Sequence, residues 1–279
     1  MKKTKIKKWN FIYVLFLIIL TLFLPLLVSI DVSSIWLIAL GTFLMFIFVL
    51  WHALLKFGVK NSMIFLGLSL IISFLAEYFG VNCGYMFGGG YHYADYLMPK
   101  LLGVPVLVII MWLAIIYICY QLAEHITDFS FKKQTPLGRK FIVSAAASLL
   151  TALAAVAWDL TMDPLAVSAG WWTWAADHAG SRLLGVPVGN FMGWVIVSFA
   201  IVLIYKLFIE TETKEKESRF EFAPAIAYGL LWLDTFVWAI QYDRSDLAIL
   251  SAMVMWPLLL ITVIKYLVNK FNLPKQYKR

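Results

Sequence analysis

In the stretch "WDLTMDP", Asp159 and Asp163 lie four residues apart within an apolar run, so a helix would place both on one face. Two neighbouring carboxyls in a poorly hydrated place cannot both ionise cheaply, and one keeps a proton. That is a general acid beside a general base. Glu77 and Asp234 ("LLWLDTFVW") also fall inside or at the end of apolar runs. An ionisable group at such depth costs roughly 2.5–3.5 kcal/mol on insertion scales, which makes each a functional candidate by default. The candidate catalytic residues are therefore Asp159, Asp163, Glu77 and Asp234. Plainer readings compete. Asp163 before Pro164 suits the N-cap of a short surface helix. Glu77 or Asp159 could pair with Lys100 or Arg182, and Asp234 could hydrogen-bond a neighbouring helix. His92 and His178 read as interfacial, and His52 and His125 sit away from the acids.

The elements that must position these acids are membrane helices. The chain has 279 residues, 62% apolar and only 14% charged. Its apolar residues fall in runs that match the hydrocarbon core of a bilayer. Eight helices are expected, at about 10–30, 34–57, 62–80, 101–126, 139–162, 185–209, 222–241 and 246–269. The run 11–30 follows a basic head but is too long for a cleavable signal. The fold class is all-α and polytopic, a single membrane domain over 1–279. With the N-terminus in the cytoplasm, 20 of the 23 Lys and Arg fall on that side, leaving Lys100, Arg182 and Arg244 outside. This asymmetry predicts a multi-pass protein of the cell membrane with both termini cytoplasmic. The net charge of +7 is topological and points away from nucleic acid. The mixed-charge stretch 210–221 reads as a solvated linker.

The six residues "LLGVPV" occur at 101–106 and again at 183–188, an offset of 82. At that offset Gly88 meets Gly170, Asp95 meets Asp177 and Trp112 meets Trp194, while Glu77 meets Asp159 and Lys100 meets Arg182. This is a duplicated helix–loop–helix unit, about 61–126 and 139–209, followed by a helix pair over 222–269. Two helices separate equivalent points, so the repeat is parallel and both loops emerge on one face, able to enclose a shared site. Asp95 with Lys100 and Asp177 with Arg182 are expected as supporting ion pairs. "LLGVPV" itself reads as packing scaffold, with Gly for close approach and Pro in the first turn of the next helix.

Both loops interleave aromatics with Gly. Such residues anchor proteins at membrane interfaces, but beside buried acids they also suit a long apolar ligand and can stabilise a cation through the ring face. Tyr91, Tyr93, Trp171 and Trp174 are the candidate substrate contacts. No dinucleotide or phosphate loop and no Cys/His metal cluster is present, and Cys83 and Cys119 are not expected to pair. No cofactor or metal is expected. Two classes of function fit these features. One is an enzyme acting on a long apolar ligand by proton transfer. The other is a proton-coupled transporter or lipid carrier, for which acids should spread through the full membrane depth.

"EYFGVNCGYMFGGGYHYADYLMPKLLGVPVL", "AVAWDLTMDPLAVSAGWWTWAADHAG" and "GVPVGNFMGW" resemble the integral-membrane carotenoid hydratases, which include bisanhydrobacterioruberin hydratases and γ-carotene hydratases. The resemblance covers about 61–210. It implies a cofactor-free membrane enzyme that adds water across the terminal C1–C2 double bond of an acyclic carotenoid end, or acts on a related polyprenyl chain. Its partners would be the membrane-embedded polyene, water and the bilayer. Asn190, within "GVPVGNFMGW", joins the candidate substrate contacts.

Overall fold

The computed structural model describes residues 35–127, 136–175, 180–209 and 222–272. They form six helices: α1 (Ile35–Cys83), α2 (Val106–Thr127), α3 (Leu137–Ser168), α4 (Val188–Ile204), α5 (Ala223–Gln241) and α6 (Ser245–Asn272). A π-helical turn, Tyr205–Ile209, extends α4. Six helices are long and apolar enough to cross a membrane. The helix expected over 10–30 lies outside the described residues. Helices expected at 34–57 and 62–80 are the two arms of α1, which breaks at Gly58 with φ 75° and ψ 169°. Straight, 49 residues of helix would run about 74 Å, more than twice the roughly 30 Å of a hydrocarbon core. Glycine tolerates the positive φ that the break requires.

Six short strands accompany the helices. They are β1 (Tyr91–Tyr93), β2 (Lys100–Leu101), β3 (Val104–Pro105), β4 (Trp172–Trp174), β5 (Arg182–Leu183) and β6 (Val186–Pro187). "LLGVPV" is not the start of a helix. In each copy it makes a tight hairpin, with Lys100 opposite Pro105 and Arg182 opposite Pro187. The turn residues have successive positive φ, 50° and 88° at Leu102–Gly103 and 56° and 88° at Leu184–Gly185, the signature of a type I′ turn. Gly185 shows why glycine is needed: a Cβ there would touch nothing, so the backbone conformation, not close packing, demands it. The following helices begin after the prolines, at Val106 and Val188. Their first N–H groups bond Pro99 O and Ser181 O, both at 2.9 Å and again 82 apart.

The repeat is also visible between the units. β1 and β4 pair antiparallel, with Tyr91 opposite Trp174, His92 opposite Thr173 and Tyr93 opposite Trp172. Exchanging residues at the offset of 82 carries the first of these pairs into the second. It carries the third onto the Gly90–Ala175 contact, which closes with a 2.9 Å backbone bond. An approximate two-fold axis therefore passes through the ribbon. Below it α2 and α4 meet at equivalent residues: the indoles of Trp112 and Trp194 stack with centroids 3.5 Å apart and planes 13° from parallel. Within the units α1 packs on α2 and α3 on α4, α2 meets α3 between them, and the α5–α6 hairpin packs on α3 and α2. Small side chains let α3 be approached closely, among them Ala147, Ala152, Ala154 and Ala155, all buried. Tyr228 of α5 donates to Ala154 O at 2.9 Å.

At the end of the bundle far from the ribbon stands Lys206, one of the 20 basic residues assigned to the cytoplasmic side. It is fully buried, forms a 2.6 Å ion pair with Glu124 and lies 5.5 Å from the centroid of the Tyr120 ring. An apolar run ending in a lysine looks like a helix emerging into water. Here the last turn keeps Tyr205 and Lys206 buried while Phe208 is exposed. Nearby His52 Nδ1 and the Tyr117 hydroxyl are 2.6 Å apart, and Phe57 and Phe65 of the two α1 arms both pack on Tyr117.

Candidate active site

Strand alternation aims Tyr91 and Tyr93 to one side of the ribbon and leaves His92 exposed on the other. Both phenols reach Glu77, near the end of α1. Tyr91 and Tyr93 donate to its Oε2, Tyr93 at 2.6 Å, and Trp112 Nε1 donates to its Oε1 at 2.7 Å. Burial pushes both phenols well above their ordinary titration range, and the adjacent Glu77 charge adds to this. They stay O–H donors. These three donors fix the Glu77 carboxyl in place.

Asp159 and Asp163 are buried on one face of α3, as their spacing predicts. Asn190, in the first turn of α4, turns its Nδ2 to both, donating to Asp159 Oδ2 at 3.0 Å and to Asp163 Oδ2. The Trp172 side chain also hydrogen-bonds Asp163. Asp159 Oδ1 is buried without a hydrogen-bond partner. The capping reading of Asp163 does not hold, because α3 runs through Pro164 to Ser168 and the aspartate stands inside it.

The three acids line one partly open cavity with about 620 Å³ of empty space, its mouth included. Tyr91, Tyr93, Trp171, Trp174 and Asn190 line it too, as do Trp112, Trp158 and Trp194, which the loop sequences did not reveal as walls. Cross-strand packing holds the aromatics. Tyr91 lies 5.6 Å from Trp174 and Tyr93 5.7 Å from Trp172, centroid to centroid, and Trp174 Nε1 donates to Phe87 O at 3.2 Å. The signal for Trp112 and Trp194 was present, since they coincide at the repeat offset.

Other expected residues fall elsewhere. Asp234 on α5 is half-buried with Oδ1 unpartnered, and it does not line the cavity. Neither Glu77 nor Asp159 pairs with a loop cation. Lys100 donates to Tyr93 O at 3.0 Å and stands 3.8 Å from the fully exposed Asp95. Arg182 donates to Gly185 O and Ala175 O at 3.2 and 3.4 Å. Asp177 and His178 lie outside the described residues. Cys83 and Cys119 are free. Among the described residues, no three His, Cys, Asp or Glu side chains are grouped to hold a metal ion.

A family model described as "Carotenoid biosynthesis protein" matches residues 33–258. No curated protein and no solved structure matches the chain. The chain belongs to the carotenoid biosynthesis protein family, and it is an all-α polytopic membrane protein.

Proposed function

We propose that this member of the carotenoid biosynthesis family adds water across the terminal C1–C2 double bond of an acyclic carotenoid end. The observation that carries the reading is the convergence of Glu77, Asp159 and Asp163 in one aromatic-walled cavity. Hydration of such an alkene needs a proton for the less substituted carbon, a means to stabilise the tertiary cation, and a base for the incoming water. Asp159 with Asp163 supplies the first. Four carboxyl oxygens share the amide of Asn190 and the indole of Trp172, and the orphan Asp159 Oδ1 is where a proton relieves an unpaired buried acceptor. In the step, the O–H of that carboxyl breaks as a C–H bond forms at C2, leaving a carboxylate and a cation at C1. Water adds its oxygen to C1 and returns a proton to the aspartate pair, so the net change is one H2O. Glu77, fixed by three donors, and the Trp112 and Trp194 rings place negative charge and π-faces around the cation.

The bilayer is then the source of the polyene, and the basic asymmetry of the sequence supports a cavity toward the outer leaflet with both termini in the cytoplasm. A proton-coupled carrier would need acids connected through the depth of the bundle. Between Trp112 and Gln121, α2 instead buries the unbroken run Leu113–Tyr120. The test is expression in a bacterium that makes lycopene or bisanhydrobacterioruberin, with pigments read by mass. A gain of one or two waters is expected. Unchanged pigment masses at good membrane expression would overturn the hydration reading.

A further inference from the structure

Exposure locates the mouth of the cavity. Most of its lining is buried, Glu77, Asp159, Asp163 and Asn190 included. Four lining residues are only partly buried: Leu107, Val108 and Met111 on one face of α2, and Trp172 of β4. The opening must lie among these four. Three belong to the membrane-crossing helix Val106–Thr127, and their side chains are apolar. A mouth framed this way faces hydrocarbon rather than water.

The repeat explains why the opening exists on this side alone. At the offset of 82, Leu107 and Met111 correspond to Gly189 and Gly193, and Phe87 corresponds to Ala169. On the Gly side the space is filled. A Cβ on Gly193 would come within 2.5 Å of the Phe87 ring, and one on Gly189 within 2.5 Å of Gly88 Cα. Phe87, 1% exposed, acts as a plug there. On the other side Ala169 has no ring to insert, and Leu107 and Met111 form walls instead of a seat.

We propose that Leu107, Val108, Met111 and Trp172 frame a lateral portal through which one isoprenoid chain end enters from the lipid. This rests on the hydration reading for the identity of the occupant. Even with the open mouth counted in, the empty space of about 620 Å³ is no more than that of a sphere about 11 Å across. A stretched tetraterpene chain is nearer the roughly 30 Å thickness of the hydrocarbon core, so only its end fits. The rest lies along the α2 face in the bilayer. The portal thus selects a terminus and leaves the far end of the chain unread.

The test uses the full chain, purified from a lycopene-producing host, with retained polyene read by absorbance per protein and hydration read by mass. Leu107→Phe/Val108→Phe narrows one rim, and Ala169→Phe supplies on the open side the ring that seals the other. Leu149→Phe/Leu153→Phe adds the same two rings at exposed positions of α3 that do not line the cavity and controls for folding. The expected result is retention and conversion lowered at least about 10-fold by a narrowing variant, with this control near wild type. Folded narrowing variants that retain and convert lycopene like wild type would overturn the portal, as would a wild type that retains no polyene. Should one narrowing variant misfold, the other decides, since they act on opposite rims. If wild type retains polyene, narrowing abolishes this and no variant forms the hydrated product, the portal stands and hydration falls.

Discussion

The two repeat units place a carboxyl at the same point and surround it in opposite ways. Glu77 is saturated: two phenols and an indole donate to it. Its equivalent, Asp159, has one amide N–H and an orphan oxygen, and beside it stands Asp163, whose own equivalent is Val81. Asn190, which bridges the two aspartates, is equivalent to Val108. One unit holds a carboxyl ringed by donors and the other two carboxyls that share one amide. The positions match across the offset of 82, and the difference lies in the residues that do not match.

The comparison can be broken or sharpened at several strengths. The largest effect is expected on the axis, at Glu124 and Lys206, which are also equivalent positions. Glu124→Leu takes the carboxylate away from a buried ammonium and should cost about 3–5 kcal/mol, whereas Glu124→Leu/Lys206→Met should recover most of it. Thermal unfolding in detergent decides, and equal losses in the single and double variants would mean that the pair is not the cause. Next, Asp159→Asn keeps shape and hydrogen bonding but removes the transferable proton. Pigment hydration should drop by at least ~100-fold at matched expression. Asp163→Asn should be comparably damaging, because the residue lies inside α3 beside its partner rather than at a cap. Near-normal hydration by either variant would take that carboxyl out of the chemistry. Glu77→Gln keeps one acceptor oxygen for Trp112, turns the other into an NH2 that the phenol oxygens can accept from, and loses the charge, so a smaller loss of roughly 10-fold, about 1.4 kcal/mol of barrier, is expected. A loss as deep as that of Asp159→Asn would erase the distinction between the units. The smallest effect should come from Asp95→Asn. That residue is shared with the second unit as Asp177, yet its pairing with Lys100 is long and its carboxylate fully exposed and screened by water, so hydration and thermal unfolding should both match wild type. Likeness between the units is then separated from importance.

Much of this arrangement is legible in the sequence because membrane helices announce themselves by length and hydropathy, and because a fixed offset needs no structure to detect. The i,i+4 aspartates and the offset between Glu77 and Asp159 suffice to bring the three acids together. Asp163–Pro164 misleads, since the same dipeptide opens a surface helix or sits inside a long one, and only packing around α3 decides. Lys206 misleads for a related reason. A charge at the end of an apolar run looks solvated unless its partner, 82 residues earlier, is considered. The ribbon is beyond local reading altogether, because three-residue strands paired across 81 residues carry no periodicity. The mouth of the cavity is equally silent, depending on what Ala169 lacks rather than on any motif.

The Glu124–Lys206 contact has a consequence for ancestry. Two identical chains meeting about a two-fold axis bring each residue on that axis against its own copy. Trp112 against Trp194 is such a self-meeting, and a symmetric pair of single-unit chains could make it equally well. Glutamate against lysine cannot arise in that way: one unit paired with itself would bury glutamate on glutamate, and the other lysine on lysine. The buried ion pair is therefore a lock that accepts only unlike halves. Separated fragments carrying the two units should find each other and refuse their own kind.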